Sequence, residues 1–202
     1  MKRTISIEVG KGSQAHNSRK FKASNVDAER TQNNVCYCNE NIRRVYHELF
    51  DDAVKRYNDK QTRADRKIDD YYKKIRTGKQ EKLFHEIVVQ IGNKDDTNVQ
   101  GEHCELAGKI LDEYYSGFIE RNPQLRVFSA HLHLDEETPH LHIDFLPFMT
   151  GSKRGLDTRV TLKQALATES LKATDQMAWV QKMNNIRNRA TEIVNAEIIY
   201  TV

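Results

Sequence analysis

Four of the eight histidines in this sequence lie within twelve positions, at His131, His133, His140 and His142. Successive side chains of a β-strand point to opposite faces, so a strand would place His140 and His142 on one face together with Asp144, and a preceding strand would pair His131 with His133. Neutral imidazole nitrogens bind divalent metal ions, and three of them leave coordination positions open for substrate or water. The spacing therefore predicts a catalytic metal site.

The segment between the two histidine pairs, residues 135–139, is acidic, ends in proline and predicts a hairpin loop. Pairing of His133 with either His140 or His142 would keep both histidine pairs on one face and bring a third imidazole within reach of a shared ion. His131 could instead supply the fourth ligand of a closed structural zinc site. The pattern leaves the register and the role of His131 open.

Hydrophobic periodicity predicts the elements that must position these strands. Strands are predicted over residues 4–9, 83–91, 126–134 and 140–148, and helices over residues 40–57, 68–75 and 106–118. Residues 10–34 are polar and predict irregular structure, whereas Thr161 and Gln164 suggest a helix capping box that opens a helical region reaching about Val194. This order predicts an α+β fold with a mainly antiparallel sheet covered by helices.

Length and composition exclude several classes of protein. The chain has 202 residues, a net charge of +3 and three cysteines, which indicates one large domain without a disulfide framework. No apolar run approaches the roughly 18 residues of a membrane span, and the first residues lack the apolar core of a signal peptide, so we expect a cytoplasmic protein without membrane insertion. Residues 55–82 hold eleven Lys or Arg against five Asp or Glu, which a solvated helical face would explain by itself.

Three segments occur in the order of a known family's motifs. Residues 15–19 (AHNSR), 25–34 (NVDAERTQNN) and 133–142 (HLDEETPHLH) resemble the three motifs of the MobV-type relaxases, the plasmid mobilization and recombination (Mob/Pre) proteins. This family lies within the HUH endonuclease superfamily, whose His-hydrophobic-His element would be His140-Leu141-His142. The resemblance implies a bacterial protein encoded by a mobile element, with an HUH relaxase-like fold and its metal site on a central hairpin.

The resemblance also implies roles for individual residues. His133, His140 and His142 would bind a divalent ion, Mn²⁺ or Mg²⁺, and His131 lies outside the matching motif. Glu136 matches the family's acidic residue close to the active site. His16 matches the position where histidine replaces the usual relaxase tyrosine as nucleophile.

We expect six polar residues to contact DNA or to position the site. These predicted DNA-binding residues are Asn17, Arg19, Arg30, Asn33, Lys153 and Arg154. A net charge of only +3 requires that the basic residues concentrate on one face. The implied partners are the single-stranded or hairpin DNA of a plasmid transfer origin and conjugation accessory proteins.

The family predicts a metal-dependent, site- and strand-specific DNA nicking and strand-transfer enzyme that forms a covalent bond between histidine and a 5′-phosphate. Two alternatives stay open: a hydrolytic metal-dependent nuclease, and a non-catalytic module that binds the origin and represses its own promoter. Relaxases of this family continue into a long helical C-terminal region. We therefore expect a catalytic domain over residues 1–165 and a helical extension, truncated relative to the family, over residues 166–202.

Overall fold

The computed structural model describes residues 5–95, 97–101 and 103–167. The strands are β1 (Ile5–Val9), β2 (Val35–Asn39), β3 (His85–Ile91), β4 (Leu125–His133), β5 (His140–Met149) and β6 (Arg159–Val160). The helices are α1 (Gln14–Asn17), α2 (Ile42–Asp59), α3 (Tyr71–Thr77), α4 (Cys104–Ser116), α5 (Phe118–Arg121) and α6 (Leu162–Leu166). Two 3-10 turns lie at Thr31–Asn33 and Ala64–Arg66.

The strands form one antiparallel sheet in the order β1-β3-β5-β4-β2, with β6 paired to the end of β5. β5 is therefore the central strand, with β3 on one side and β4 on the other. In the β4–β5 hairpin His133 pairs with His140 and His131 pairs with His142, which is one of the two registers left open by the sequence. The predicted α+β fold with a mainly antiparallel sheet is confirmed.

Each face of the sheet is covered by helices over a separate apolar core. On one face α4 and α5 pack against the side chains of β3, β4 and β5, with Leu141 and Ile143 fully buried. On the other face α2 and α3 pack around Phe50, Phe128 and Leu146. β5 alternates between these environments because its side chains alternate in direction, so the histidines share their face with Leu146.

Most of the predicted elements are confirmed within a few residues, including the long helix α2 and the two strands of the histidine hairpin. Two predictions were incomplete, since the sequence pattern did not indicate α1 or the edge strand β2. The predicted capping box was wrong. Thr161 does occupy the N-cap of α6, but its side chain makes no capping hydrogen bond. The Gln164 side chain instead accepts a hydrogen bond from Arg159.

The helical extension predicted for residues 166–202 lies, beyond Ala167, outside the described part of the chain. Among the described helices, none combines the length and the apolar character that crossing a lipid bilayer would require.

Candidate active site

Three histidines of the β4–β5 hairpin form a compact buried cluster. The ring centroids of His133 and His142 lie 4.8 Å apart, those of His140 and His142 5.0 Å, and those of His133 and His140 5.2 Å. No side chain in the cluster is easily solvated, because the three residues are between 1% and 8% exposed. The hairpin register brings them together, since β4 and β5 are direct neighbours in the sheet.

One nitrogen of each ring in the cluster faces a hydrogen-bond acceptor. These contacts, each 2.8 Å long, join His133 Nε2 to the Asn17 carbonyl, His140 Nδ1 to the Thr138 carbonyl, and His142 Nδ1 to Glu86 Oε1. Carbonyl and carboxylate oxygens only accept, so these ring nitrogens must carry the hydrogens. The lone pairs are then left on His133 Nδ1, His140 Nε2 and His142 Nε2. The surroundings thus select the tautomer of every ring.

The arrangement of the lone pairs fits a divalent cation. His133 Nδ1 and His140 Nε2 lie only 3.3 Å apart, and two lone pairs cannot hydrogen-bond to each other. His142 Nε2 is buried and has no hydrogen-bond partner among the described residues. Burial, reinforced by neighbouring His142, lowers the pKa of His133 to about 2 and also lowers that of His140, so neither ring is a cation near neutral pH. A metal ion would satisfy the close pair of nitrogens on His133 and His140.

Glu86 of β3 binds the cluster through His142. Its carboxylate is 4% exposed and accepts hydrogen bonds from His142 Nδ1, from Asn17 Nδ2 at 2.6 Å and from the Gly12 backbone at 2.6 Å. Burial alone would raise the pKa of Glu86, but these three donors outweigh it and hold the pKa below its usual value. One ionised side chain thus connects the β1–α1 loop, helix α1 and a histidine of the cluster.

His16 stands beside the cluster on the short helix α1. Its ring centroid lies 6.0 Å from that of His133 and 6.1 Å from that of His142. His16 Nε2 is 3.2 Å from Glu136 Oε1, and the same oxygen is 3.9 Å from both His133 Nδ1 and His140 Nε2. The two residues predicted to be catalytic, which are 120 positions apart in the sequence, therefore meet at the edge of the histidine cluster.

Arg19 holds Glu136 in this place. Its guanidinium binds Glu136 Oε1 at 2.8 Å and forms a two-pronged ion pair with Asp135, which is fully buried. Its Nη1 atom also lies 3.4 Å from His16 Nε2. Arg19 has a φ of 55°, a left-handed conformation that is uncommon for residues other than glycine. This backbone turn ends α1 and directs the Arg19 side chain back towards the hairpin loop.

Asp135 anchors the hairpin loop to the segment that follows α1. Besides the ion pair with Arg19, it accepts a hydrogen bond from the Thr31 hydroxyl at 3.0 Å, and its carbonyl accepts one from the Asp27 backbone at 2.8 Å. Burial would raise the pKa of Asp135, but the hydrogen bonds from Arg19 and its polar neighbours lower it to about 2. The predicted hairpin loop is therefore a fixed part of the site.

His131 lies on the same face of the sheet as the cluster. Its ring centroid is 6.2 Å from that of His133, and its buried Nε2 atom has no hydrogen-bond partner in the described structure. In two groups of three residues, each residue can offer one ligand atom within 4.8 Å of those of the other two: His16, His133 and His142 form one group, and His133, Glu136 and His140 form the other. Neither group contains His131, which argues against its being a ligand. His133 belongs to both groups, whereas His142 belongs only to the first and His140 only to the second, so the three predicted ligands do not form a single group.

Two of the predicted DNA-binding residues face the protein interior. Asn17 is 2% exposed and uses its amide on Glu86 and its carbonyl on His133, so it positions the site from within. The guanidinium of Arg30 donates to the backbone carbonyls of Leu134 and Val99. In this conformation both residues brace the loops around the cluster.

Three predicted DNA contacts, Asn33, Lys153 and Arg154, are exposed, whereas the Arg19 side chain is only 8% exposed. Asn33 lies in the 3-10 turn before β2. Lys153 and Arg154 lie in the loop after β5, whose length of ten residues at about 3.3 Å each places that loop about 30 Å from His140. Any DNA that contacts Lys153 or Arg154 must therefore extend well beyond the histidine cluster.

Sequence reasoning missed Glu86 and Asp135. Glu86 is a single charged residue within the apolar strand β3, and that isolation was the one available signal for a buried functional carboxylate. Asp135 offered no such signal, because an aspartate at the start of a hairpin loop is ordinary turn chemistry. Both residues owe their place in the site to strand order and loop packing.

Solved structures of similar fold include the MobM relaxase domain bound to plasmid pMV158 oriT DNA, in manganese-bound crystals. Two of these crystal structures, at pH 5.5 and pH 6.8, each align with a TM-score of 0.55 over 94% of this chain and 86% of theirs, at 20% sequence identity. At that identity the likeness establishes the fold. The molecule thus has the fold of a relaxase domain.

The sequence model of the plasmid recombination enzymes (Mob/Pre) matches residues 13–197, and the chain belongs to this family. Similar proteins include the plasmid recombination enzymes type 2 of Staphylococcus aureus strains Mu50 and N315. Each is 29% identical over 148 residues, which is 72% of this chain and 31% of the relative. The matched region thus spans about a third of the length of these curated relatives. The family predicted from the three motifs is confirmed.

Proposed function

We propose that this protein nicks one DNA strand at a plasmid transfer origin and transfers that strand through a covalent bond between His16 and the 5′-phosphate. The observation that carries the proposal is the contact of 3.2 Å between His16 Nε2 and Glu136 Oε1 at the edge of the three clustered imidazoles. A nucleophile, a carboxylate that can accept its proton and a metal-ligand cluster are the three parts that such a reaction needs.

In the forward step a nitrogen of His16 attacks the scissile phosphorus in line with the 3′-oxygen. The N–P bond forms and the P–O3′ bond breaks. The proton that the His16 ring loses passes to Glu136, and the leaving 3′-oxygen takes up a proton from solvent. The products are a 5′-phosphoramidate on His16 and a free 3′-hydroxyl. A 3′-hydroxyl can reverse the step by attacking the same phosphorus: it releases its proton to solvent, and the His16 ring regains a proton from Glu136.

His133, His140 and His142 would hold the divalent ion, Mn²⁺ or Mg²⁺, through the lone pairs on Nδ1, Nε2 and Nε2. When bound, such an ion polarises a non-bridging phosphate oxygen and offsets the charge that develops in the transition state. Mn²⁺ in the MobM relaxase-domain crystals supports this class of ion.

Arg19 prepares the nucleophile. Its ion pairs with Asp135 and Glu136 hold the Glu136 carboxylate within hydrogen-bond distance of His16. Because the Arg19 side chain is 8% exposed and already paired, its role here is to fix the carboxylate in place. Preorganisation of this kind lowers the barrier because little has to move as the reaction starts.

The test uses an oligonucleotide that spans the transfer origin of the replicon encoding the protein, labelled at both ends and incubated with Mn²⁺ or with chelator. We expect a protein adduct on the 5′ end, stable to heat but labile to acid, that is lost with chelator and in His16→Ala. His47→Ala is the matched control, since His47 is exposed on α2, and it should retain the adduct. Cleavage without an adduct would identify a hydrolytic nuclease, and binding without cleavage a non-catalytic origin-binding module.

A further inference from the structure

A cleft lined by basic residues lies beside the histidine cluster. A cleft of about 420 Å³ lies between the β1–α1 loop, the end of α3 and the segment leading into β3. Exposed Lys11, Arg76 and Lys82 line it, and Glu86, which binds His142, lies on the same wall. The cleft therefore lies next to the histidine cluster, with buried Glu86 between them.

We infer that this cleft holds the single-stranded DNA that leads to the scissile phosphate, with Lys11, Arg76 and Lys82 in contact with its phosphates. The inference rests on the proposed function, since it assigns the path of that function's substrate. It also assigns a role to part of the basic segment 55–82, which composition alone could not distinguish from a solvated surface.

The loop that carries Lys11 packs closely against Glu86 of β3. The Gly10 backbone donates to the Glu86 carbonyl at 3.0 Å, and the Gly12 backbone donates to the Glu86 carboxylate at 2.6 Å. A Cβ at Gly10 would lie 1.9 Å from Glu86 Oε2, and Gly12 has a φ of +71° with the Phe84 ring 2.9 Å from where its Cβ would stand. Lys11 is thus held at a fixed point between two anchored glycines.

The charges in the cleft are available to a polyanion. None of Lys11, Arg76 and Lys82 forms an ion pair within the described structure, whereas Arg56 and Arg63 of the same basic segment bind Asp157 and Asp65. Two carboxylates also line the cleft, but Glu86 is buried and already accepts three hydrogen bonds. The other carboxylate, Glu81, has no ion pair within the described structure, so the three cations and Glu81 together leave a net positive charge in the cleft.

The walls favour a single strand over a duplex. Half-buried Phe84 lines the cleft between the cationic residues, and its ring packs edge-on against Phe128 with centroids 5.3 Å apart. Proteins that bind single strands combine a cationic groove with aromatic surface for the bases, whereas a base-paired duplex keeps its bases stacked inside. The proposed reaction also needs an accessible DNA strand at His16. This residue lies four positions after Gly12 of the β1–α1 loop, which lines the cleft.

The test compares two triple variants in a His16→Ala background, so that binding is measured without strand cleavage. Lys11→Ala/Arg76→Ala/Lys82→Ala removes the cleft charges, and Lys55→Ala/Lys60→Ala/Lys67→Ala removes three exposed charges of the same basic segment away from the cleft. The affinity of the full chain for fluorescein-labelled oligo(dT) is followed by anisotropy over a range of KCl concentrations without divalent ions.

The cleft variant should reduce the slope of log K against log[salt] by about 2, because each phosphate contact to a single strand contributes about 0.7. The control variant should keep the parent slope. If the triple variant is unstable, the salt slope of Lys82→Glu, a single change at an exposed residue of the cleft, is compared with that of the parent instead. An unchanged slope in the cleft variants, or a parent chain without salt-dependent binding, overturns the inference. A blunt duplex of the same length is measured in parallel, and a slope that falls for the duplex but not for oligo(dT) also overturns the inference.

The two proposals fail separately. Adduct formation by the wild-type chain depends on His16 and decides the proposed function, whereas the salt slope is measured where no adduct can form. An adduct together with an unchanged slope would remove the cleft assignment alone.

Discussion

Glu86 Oε1 accepts a hydrogen bond of 2.8 Å from His142 Nδ1, across the neighbouring strands β3 and β5. The same oxygen lies 2.6 Å from the amide of Asn17, the residue next to His16. A single carboxylate oxygen therefore relates the orientation of a predicted metal ligand to that of the helix bearing the predicted nucleophile.

Replacing Glu86 by Gln should weaken Mn²⁺ binding by about 10- to 100-fold, the usual effect of losing a carboxylate that orients a histidine ligand. The amide cannot accept from His142, Asn17 and Gly12 together, so the His142 ring loses its fixed tautomer. Titration calorimetry with MnCl₂ measures the change. Glu137→Gln, an exposed change in the hairpin loop, is the control, and equal affinities in the two variants would contradict the role of Glu86.

Mn²⁺ should raise the Tm of the wild-type protein, because an ion that binds only the folded state stabilises it by mass action. His142→Ala should abolish this rise, and chelator should reverse it in the wild type. His131→Gln should retain it, since His131 belongs to neither group of converging donors. If His131→Gln lost the Mn²⁺-dependent rise as fully as His142→Ala, a four-ligand site that includes His131 would be correct.

Asp144→Asn should stabilise the metal-free protein near neutral pH. Burial and the neighbouring Glu86 carboxylate raise the pKa of Asp144 from 3.8 to about 6, so the ionised form is disfavoured in the folded state. A raised carboxyl pKa costs stability as pH rises from about 4 through 6, and a shift of this size corresponds to about 2 to 3 kcal/mol. Urea unfolding at pH 4 and pH 7.5 should show the gain only at pH 7.5. A gain of the same size at both values would refute this cause.

Asp135→Asn should lower the free energy of unfolding by about 3 kcal/mol, because it leaves the Arg19 guanidinium without its buried partner. The depressed pKa of Asp135, about 2, stabilises the fold above pH 4, and this contribution is lost as pH falls from 4 towards 2. Acid unfolding monitored by circular dichroism should therefore be less steep in that window for the variant. Asp65→Asn, in an exposed ion pair, should change stability by less than about 1 kcal/mol.

The sequence by itself determined the family and the face of the sheet that carries the histidines. Strand periodicity is local: side chains two residues apart share a face whatever the strand pairs with, so the spacing of His140 and His142 is enough to place them together. The motif order likewise identified His16 and Glu136, and the structure brings their side chains within 3.2 Å.

Only the tertiary structure decided what supports these residues. Glu86 is 56 positions from His142, and their contact depends on β3 lying beside β5, which no local pattern specifies. Asp135 and Arg19, 116 positions apart, meet because the hairpin loop folds over the end of α1. Local periodicity determines the direction of a side chain, but its partner depends on strand order and loop packing, which are set by burial across the whole chain.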